Sequence, residues 1–254
     1  MTRRLFSFFL LLVSSSCFCG EIEDALSRAG LVESKIPTGD EWSSANRNLV
    51  DFVIAHDAEH LTINEVRDLR GPENRKIAFH DTLLISVNKG EWGGHLSVVG
   101  SDGNEHILIR DNIVQLVQEQ DELFVFTGLA HMGSAQGAIY KITGNREDVS
   151  AEKVTLLPGA PQVVTVERNE RGYLTFLIVT NDGLLSFNPK SGEMKILAID
   201  QFWHGLYPTS AQLLDGQLIV GMRSGVAVVS IGQRLGIGSS PRVTKTRYFS
   251  RAVQ

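Results

Sequence analysis

The stretch 217–231, Gln-Leu-Ile-Val-Gly-Met-Arg-Ser-Gly-Val-Ala-Val-Val-Ser-Ile, reads as two apolar strands joined by a tight Arg-Ser-Gly turn. It constrains the fold more than any other segment because it is the cleanest copy of a repeat. A Gly followed by an apolar or alternating run recurs at Gly94, Gly137, Gly183 and Gly225, at intervals of 43, 46 and 42 residues. A period of that length, filled with strands, is the signature of a repeat architecture built from four-stranded blades. Residues 81–87 (Asp-Thr-Leu-Leu-Ile-Ser-Val) match 121–127 (Asp-Glu-Leu-Phe-Val-Phe-Thr), with 215–221 a third relative.

Each unit parses into strands A to D, with A nearest a shared axis. In one unit these are 113–118, 123–127, 138–143 and 153–157; in the next, 162–167, 174–180, 184–188 and 194–198. Asp102-Gly103, Asp182-Gly183 and Asp215-Gly216 supply hairpin turn chemistry. Clear units cover residues 76–231, and the poorly patterned 56–74 is read as a degenerate first unit after a buried strand at 49–55. The count is therefore five blades, with four or six as the alternatives. An open edge strand would template aggregation. The β-prone, basic segment 242–249 is accordingly assigned to completing the last blade. Residues 21–30 place Ile22, Ala25, Leu26 and Ala29 at helical spacing before Gly30, which predicts a short amphipathic helix on the outside of the body. Residues 36–39 (Ile-Pro-Thr-Gly) read as a loop.

The phrases Leu-Ile-Val-Gly-Met-Arg-Ser-Gly-Val, Ile-Val-Thr-Asn-Asp-Gly-Leu-Leu and Gly-Glu-Trp-Gly-Gly-His-Leu resemble those of the broad β-propeller superfamily, particularly exported bacterial members with irregular repeats. The resemblance covers roughly two thirds of the chain. It implies an all-β fold, with residues 20–254 forming one propeller domain. No Gly-His and Trp-Asp pair of the WD-repeat kind marks the units, and no signature of an enzyme family is present. Fold likeness of this sort leaves activity open.

At 254 residues, 43% of them hydrophobic and 21% charged, the chain can bury the core of one domain. Its formal charge of -5 argues against a nucleic-acid surface, which wants clustered Lys and Arg. No Asp or Glu follows Asp215, whereas Arg223, Arg234, Arg242, Lys245, Arg247 and Arg251 do; this basic end is expected to fold back on the acidic body. Residues 1–19 carry Arg3-Arg4, an apolar run over 5–13 and a small-residue region over 14–19, the plan of a secretory signal peptide. Both cysteines, Cys17 and Cys19, fall inside it. The expected location is periplasmic or extracellular. Ser14-Ser15-Ser16-Cys17 also resembles a lipoprotein box, which would put a lipid anchor on Cys17, and Arg3-Arg4 resembles a twin-arginine signal. No later run is long and apolar enough to span a bilayer.

In a blade, the A–B and C–D turns lie on one face and the B–C and D–A loops on the other. The second set holds Glu91, Trp92, His131, Asp182, His204, Tyr207 and Arg223, which are expected to gather around the channel mouth as a polar, aromatic-rimmed binding site. The bland reading has Trp92 and Trp203 capping blade interfaces. His56-Asp57-Ala58-Glu59-His60 fits the inverted zincin pattern, which requires a helix; the β-rich surroundings favour a charged loop. His131 with Met132 is too few for a soft-metal site. No Gly-x-Ser-x-Gly, phosphate loop or EF-hand is present, so no metal or cofactor is implied. The expectation is an exported binding or scaffold protein for a small molecule, glycan or protein. The alternatives are a propeller hydrolase or lyase on an extracellular polymer, using Glu91, Asp182 and His204, and a lipid-anchored envelope component resting on Cys17.

Overall fold

The computed structural model describes residues 19–57, 60–67, 69, 73–101, 103–145, 148–168, 172–232 and 242–252. The leader and Cys17, Ala58 and Glu59, 70–72, Asp102 and 169–171 lie outside them. The chain opens with helix α1 (Cys19–Arg28), strand β1 (Leu31–Ser34) and helix α2 (Gly39–Arg47). Ile22, Ala25 and Leu26 of α1 are buried in a core cluster with Phe52, Leu61 and Phe249, so this helix is part of the packed body.

Strands β2 (Val50–His56) and β3 (Leu61–Arg67) form a two-stranded sheet. Four-stranded antiparallel sheets follow in chain order. The first holds β4 (Glu73–Phe79), β5 (Thr82–Asn88), β6 (Gly94–Val99) and β7 (Glu105–Ile109); the second, β8 (Ile113–Glu119), β9 (Glu122–His131), β10 (Ser134–Thr143) and β11 (Ser150–Leu157). The third holds β12 (Pro161–Arg168), β13 (Leu174–Thr180), β14 (Leu184–Phe187) and β15 (Met194–Ala198). The last sheet is β16 (Ser210–Leu214), β17 (Gln217–Met222), β18 (Gly225–Gly232) and β19 (Arg242–Arg251), with β1 added outside β19 as a fifth strand.

Five antiparallel sheets of this kind fit a β-propeller, although not all are four-stranded: the first has two strands and the last five. The region expected to be a degenerate unit is the β2–β3 hairpin. His56, the first residue of its inverted zincin pattern, lies in a strand and not in a helix. His56 pairs with Leu61 across the hairpin, Asp57 and His60 close the turn main chain to main chain at 3.3 Å, and the His60 N–H donates to Asp57 Oδ1 at 2.8 Å.

The core lies between neighbouring sheets. One cluster joins the β4–β7 and β8–β11 sheets through Leu84, Leu96, Leu123 and Val125. A second joins β8–β11 to β12–β15, where Phe176 meets Phe124 and Phe126 edge-on at 5.0 and 5.2 Å. Each fully buried Phe there contributes about 1.5–3 kcal/mol. A third cluster joins β12–β15 to the last sheet around Trp203.

The small first sheet is seated on the last. The Ser224 N–H donates to Val50 O at 2.9 Å, the Ile54 N–H to Ser210 Oγ at 2.7 Å, and Thr209 Oγ1 to Phe52 O at 3.2 Å. Gly221 permits this, since a Cβ there would stand 2.2 Å from Phe52 O. Beyond β1, Arg247 reaches Glu23 of α1 at 2.8 Å and Glu33 of β1 at 3.5 Å. The basic end thus folds onto acidic residues of the amino-terminal segment.

Residues 39–47, to which the sequence assigned no element beyond a loop ending at Gly39, form α2. That helix buries none of its own residues and has no apolar stripe to announce it. It is held by the packing of Trp42 and Ala45 on the cluster around Trp203 and by side-chain bonds: Trp42 Nε1 donates to His204 O at 3.0 Å, Asn46 Nδ2 to Gly205 O at 2.5 Å, and Ser224 Oγ to Ala45 O at 3.0 Å.

Candidate functional site

Alternation of strand direction places the β5–β6, β9–β10, β13–β14 and β17–β18 connections on one face, together with the chain before each inner strand. The β9–β10 hairpin has the longest paired strands there, ten residues each. Its two strands pair Gly128 with Gly137, where added Cβ atoms would come within 2.6 and 2.5 Å of Pro161 Cδ. Two glycines therefore let the hairpin ride over the start of β12. Its tip, Met132-Gly133, is a two-residue turn with φ of 49° and 79°, so Met132 occupies left-handed backbone where Asn, Asp or Gly is preferred. The Met132 side chain is 91% exposed.

Opposite this tip runs the connection 199–209. Trp203 is fully buried and its Nε1 donates to Thr180 O at 3.1 Å, which pins the loop to the third four-stranded sheet. The Gln201 N–H donates to Asp182 O at 2.7 Å, and Trp42 holds His204 from the α2 side. Tyr207 then takes up a φ of 51° and is 41% exposed. Between tip and loop lies a cavity of about 340 Å³ lined by His131, Met132, Asp182, Trp203, His204 and Tyr207. It adjoins a larger central cavity of about 1370 Å³, to which residues of β2, β4, β8, β12 and β16 all contribute. Ala130, Gln162, Tyr207 and Pro208 line both.

The expected site residues fall into three groups. His131, Asp182, His204 and Tyr207 share the smaller cavity. Glu91 joins them through His131, with Oε2 3.4 Å from Nε2, and Trp92 lines the central cavity from the 3₁₀ turn 90–92. Trp92 is 82% exposed, so it caps no interface; of the two tryptophans only Trp203 does. Arg223 does not face the mouth. It is 4% exposed, with its guanidinium 4.7 Å from the centre of the Tyr207 ring and Nη1 donating to Asn46 O. It supports Tyr207 from beneath, which corrects the expectation that Arg223 gathers at the channel mouth.

Chemically, His131, Asp182 and His204 make no hydrogen bond or ion pair with one another among the described residues. A second His–carboxylate contact lies on the β4–β7 sheet, where Glu105 accepts from buried Ser97 at 2.5 Å and meets His95 at 3.3 Å. The Ser97 hydroxyl is the main reason the Glu105 carboxyl lies below its ordinary range, with His95 adding to it against a partial desolvation. Here the carboxylate sits between Ser and His, whereas an activated nucleophile needs the imidazole in the middle. This contact is strand-edge satisfaction. No group of three or more metal-ligating side chains occurs among the described residues, and no helix among them is long and apolar enough to cross a membrane.

The sequence reading missed the inner-strand amides Gln118, Gln162 and Gln212, which line the central cavity with Lys89 and Arg75. Their signal was a Gln among the apolar residues of β8, β12 and β16.

No protein-family model matches the sequence, and no curated protein matches it. Among solved structures, the protein is similar to a chain of the crystal structure of a nidogen/laminin complex. The identity is 16% and the TM-score 0.39, over 72% of this chain and 66% of that one, just under two thirds of its length.

Proposed function

We propose that this is an exported β-propeller binding protein that takes its ligand on the face bearing Trp92, the Met132 hairpin tip and Tyr207. The observation that carries the reading is the pairing of exposure with strain at Met132. A large apolar side chain, 91% exposed, stands at a turn position with a φ of 49° that Asn or Gly would fill at lower cost. Trp92 supports it as an exposed indole on the same face, and the two adjoining cavities supply a concave floor. His131, Asp182 and His204 serve as orienting polar groups, and Glu91 fixes the His131 ring.

The test uses the indole itself. Of the three tryptophans Trp203 is buried and Trp42 is partly buried against the core, so the exposed Trp92 should carry most of the change in emission and iodide quenching that a ligand at the face produces. Wild type, Trp92→Phe and Met132→Gly are titrated with a panel of saccharides, peptides and metabolites. A ligand whose affinity falls at least tenfold in Met132→Gly and whose emission signal vanishes in Trp92→Phe supports the face. Ligands that bind all three proteins equally refute it. Mass analysis of the same mixtures reads the hydrolase or lyase alternative, because turnover through Glu91, Asp182 and His204 would leave shortened products. Mass analysis of the mature amino terminus separates a free exported chain from one lipidated at Cys17.

A further inference from the structure

We infer that the outer edge of β3 is a docking slot for an extended segment of a partner protein, which joins the first sheet as a third strand. The slot lies on the outer wall of the ring, away from the mouth, and is independent of the loop-face reading above. The first sheet stops at two strands, whereas those after it have four, four, four and five. With strands about 4.8 Å apart, the β3 edge ends roughly 10 Å short of the outer edges of its neighbours. Its main-chain groups are open there. The Leu61 N–H donates to Glu21 Oε1 at 2.7 Å and Leu61 O accepts from Arg28 Nη2 at 3.1 Å, so both groups of Leu61 point away from β2 and are capped by α1. Alternate residues of a strand point the same way, which turns the N–H and C=O of Ile63, Glu65 and Arg67 outward too. None of these has a main-chain bond on that side among the described residues, and Asn64, Glu65 and Arg67 are exposed. An unpaired edge of this kind templates another strand.

An apolar wall stands beside it. Leu84, Leu96 and Ile109 of the β4–β7 sheet belong to the cluster shared with β8–β11. Leu83 and Ile85 alternate with Leu84, and Ile107 pairs across a bulge with Ser97, the neighbour of Leu96, so these three face the first sheet instead. Leu83 is 39% and Ile107 42% exposed. Among the described residues no core cluster joins these two sheets, whereas every other neighbouring pair shares one. The slot thus continues the packed interfaces that run around the rest of the ring. The chain does not fill it from nearby. Leu69 lines the central cavity, so the connection leaving β3 turns inward to β4, and residues 233–241 join β18 to β19. A second copy is held off because its own β3 lies equally deep between taller sheets. The occupant is therefore a thin, extended segment whose main chain bonds to β3 and whose every second side chain is apolar and lies on the wall.

The experiment uses the full chain with three probes: the peptide Thr-Ile-Thr-Val-Lys-Ile-Thr, the same peptide with Pro for its central Val, and the polar Thr-Ser-Thr-Ser-Lys-Ser-Thr. Anisotropy of the labelled peptides reads binding, and hydrogen exchange reads its place. The alternating peptide is expected to bind and to slow exchange of the Ile63, Glu65 and Arg67 amides at least tenfold, with β11 and β15 unchanged. The Pro peptide, which lacks a central N–H, and the polar peptide should bind at least tenfold weaker. Ile107→Lys should weaken the alternating peptide about tenfold with an unchanged melting temperature. Met132→Gly and Trp92→Phe should leave it alone, which separates the slot from the loop face. The inference is overturned if the alternating peptide leaves the β3 amides unprotected, if β11 or β15 is protected as strongly, if either control peptide matches it, or if Ile107→Lys binds normally. It is equally overturned if those amides are protected without peptide, whether by a second copy, seen as a concentration-dependent dimer in sedimentation, or by the leader, seen as their release in Phe9→Asp/Leu11→Asp.

Discussion

The two faces of the ring solve the same geometric problem, reversing strands, by different means. On one face the turns are short and satisfy themselves: His80-Asp81, Gln120-Asp121 and Asp215-Gly216 each join adjacent strands with two residues. At 188–193 Asn188 Oδ1 accepts from the Lys190 and Ser191 N–H groups, and the Gly192 N–H returns to Asn188 O. On the other face the connections are satisfied across sheets. Asn112 Nδ2 donates to Gly90 O at 2.5 Å, the Ala160 N–H to Asn181 Oδ1 at 3.2 Å, and Trp203 Nε1 to Thr180 O at 3.1 Å. A locally closed turn can vary without moving its neighbours. A face knitted across sheets holds residues distant in sequence at fixed separations, which a binding site requires.

The largest break in that symmetry is expected at Trp203. Trp203→Ala removes a fully buried side chain and its bond to Thr180, and should cost about 3–5 kcal/mol in urea unfolding. Ser191→Ala on the opposite face should stay within about 0.5 kcal/mol. Comparable losses at the two sites would erase the distinction.

Next in size is the alkaline response of Tyr248. Its hydroxyl donates to Ser224 O at 3.0 Å, anchoring the turn after β17, and burial pushes the phenol up to about 12 from an ordinary 10.0. The unfolded chain ionises first, so this stabilisation is whole below pH 10 and is lost as pH rises toward 12. Two pH units correspond to about 2–3 kcal/mol. Tyr248→Phe should flatten stability over that window. A steep fall retained in Tyr248→Phe would mean another group governs it.

Gly137→Ala follows. Its Cβ would meet Pro161 Cδ at 2.5 Å, lift the hairpin from β12 and cost about 1–3 kcal/mol. Thermal melting checks the cost, and Trp92 quenching checks the mouth.

How far the sequence disclosed this design follows from the range of the interactions involved. Strands 113–118, 174–180 and 194–198 were legible, the first one residue short, because alternation and turn residues are local signals. The fifth strand outside β19 was not, because Leu31–Ser34 has four residues and takes its identity from partners more than 200 positions later. Helix α2 was invisible for a related reason: it has only Trp42 and Ala45 to pack on the core, and its bonds go to His204 and Gly205, far along the chain. The face was legible as a set of loops, and it does bring His131, Asp182, His204 and Tyr207 to one cavity. Arg223 was misplaced because a charged residue in a tight turn reads as exposed, whereas its partners Asn46 and Tyr207 come from elsewhere in the chain. The amides of the central cavity were not legible because a Gln among apolar strand residues carries no motif.

The smallest expected effect sharpens the comparison most. Met132 and Gln120 both sit in two-residue turns at nearly equal backbone angles, φ 49° and 54°, one on each face. Asn tolerates left-handed backbone better than either, so Met132→Asn and Gln120→Asn should each raise stability by roughly 0.5–1 kcal/mol. The gains should match, because the strain relieved is the same. Their consequences should not: Met132→Asn removes an exposed apolar side chain from the proposed face and should weaken any ligand found there, whereas Gln120→Asn should leave binding untouched. Equal stabilisation with unequal binding would show that the methionine is kept for what it touches outside the fold. If Met132→Asn gained nothing in stability, the residue would be held in place by packing, and its strain would no longer point to a ligand.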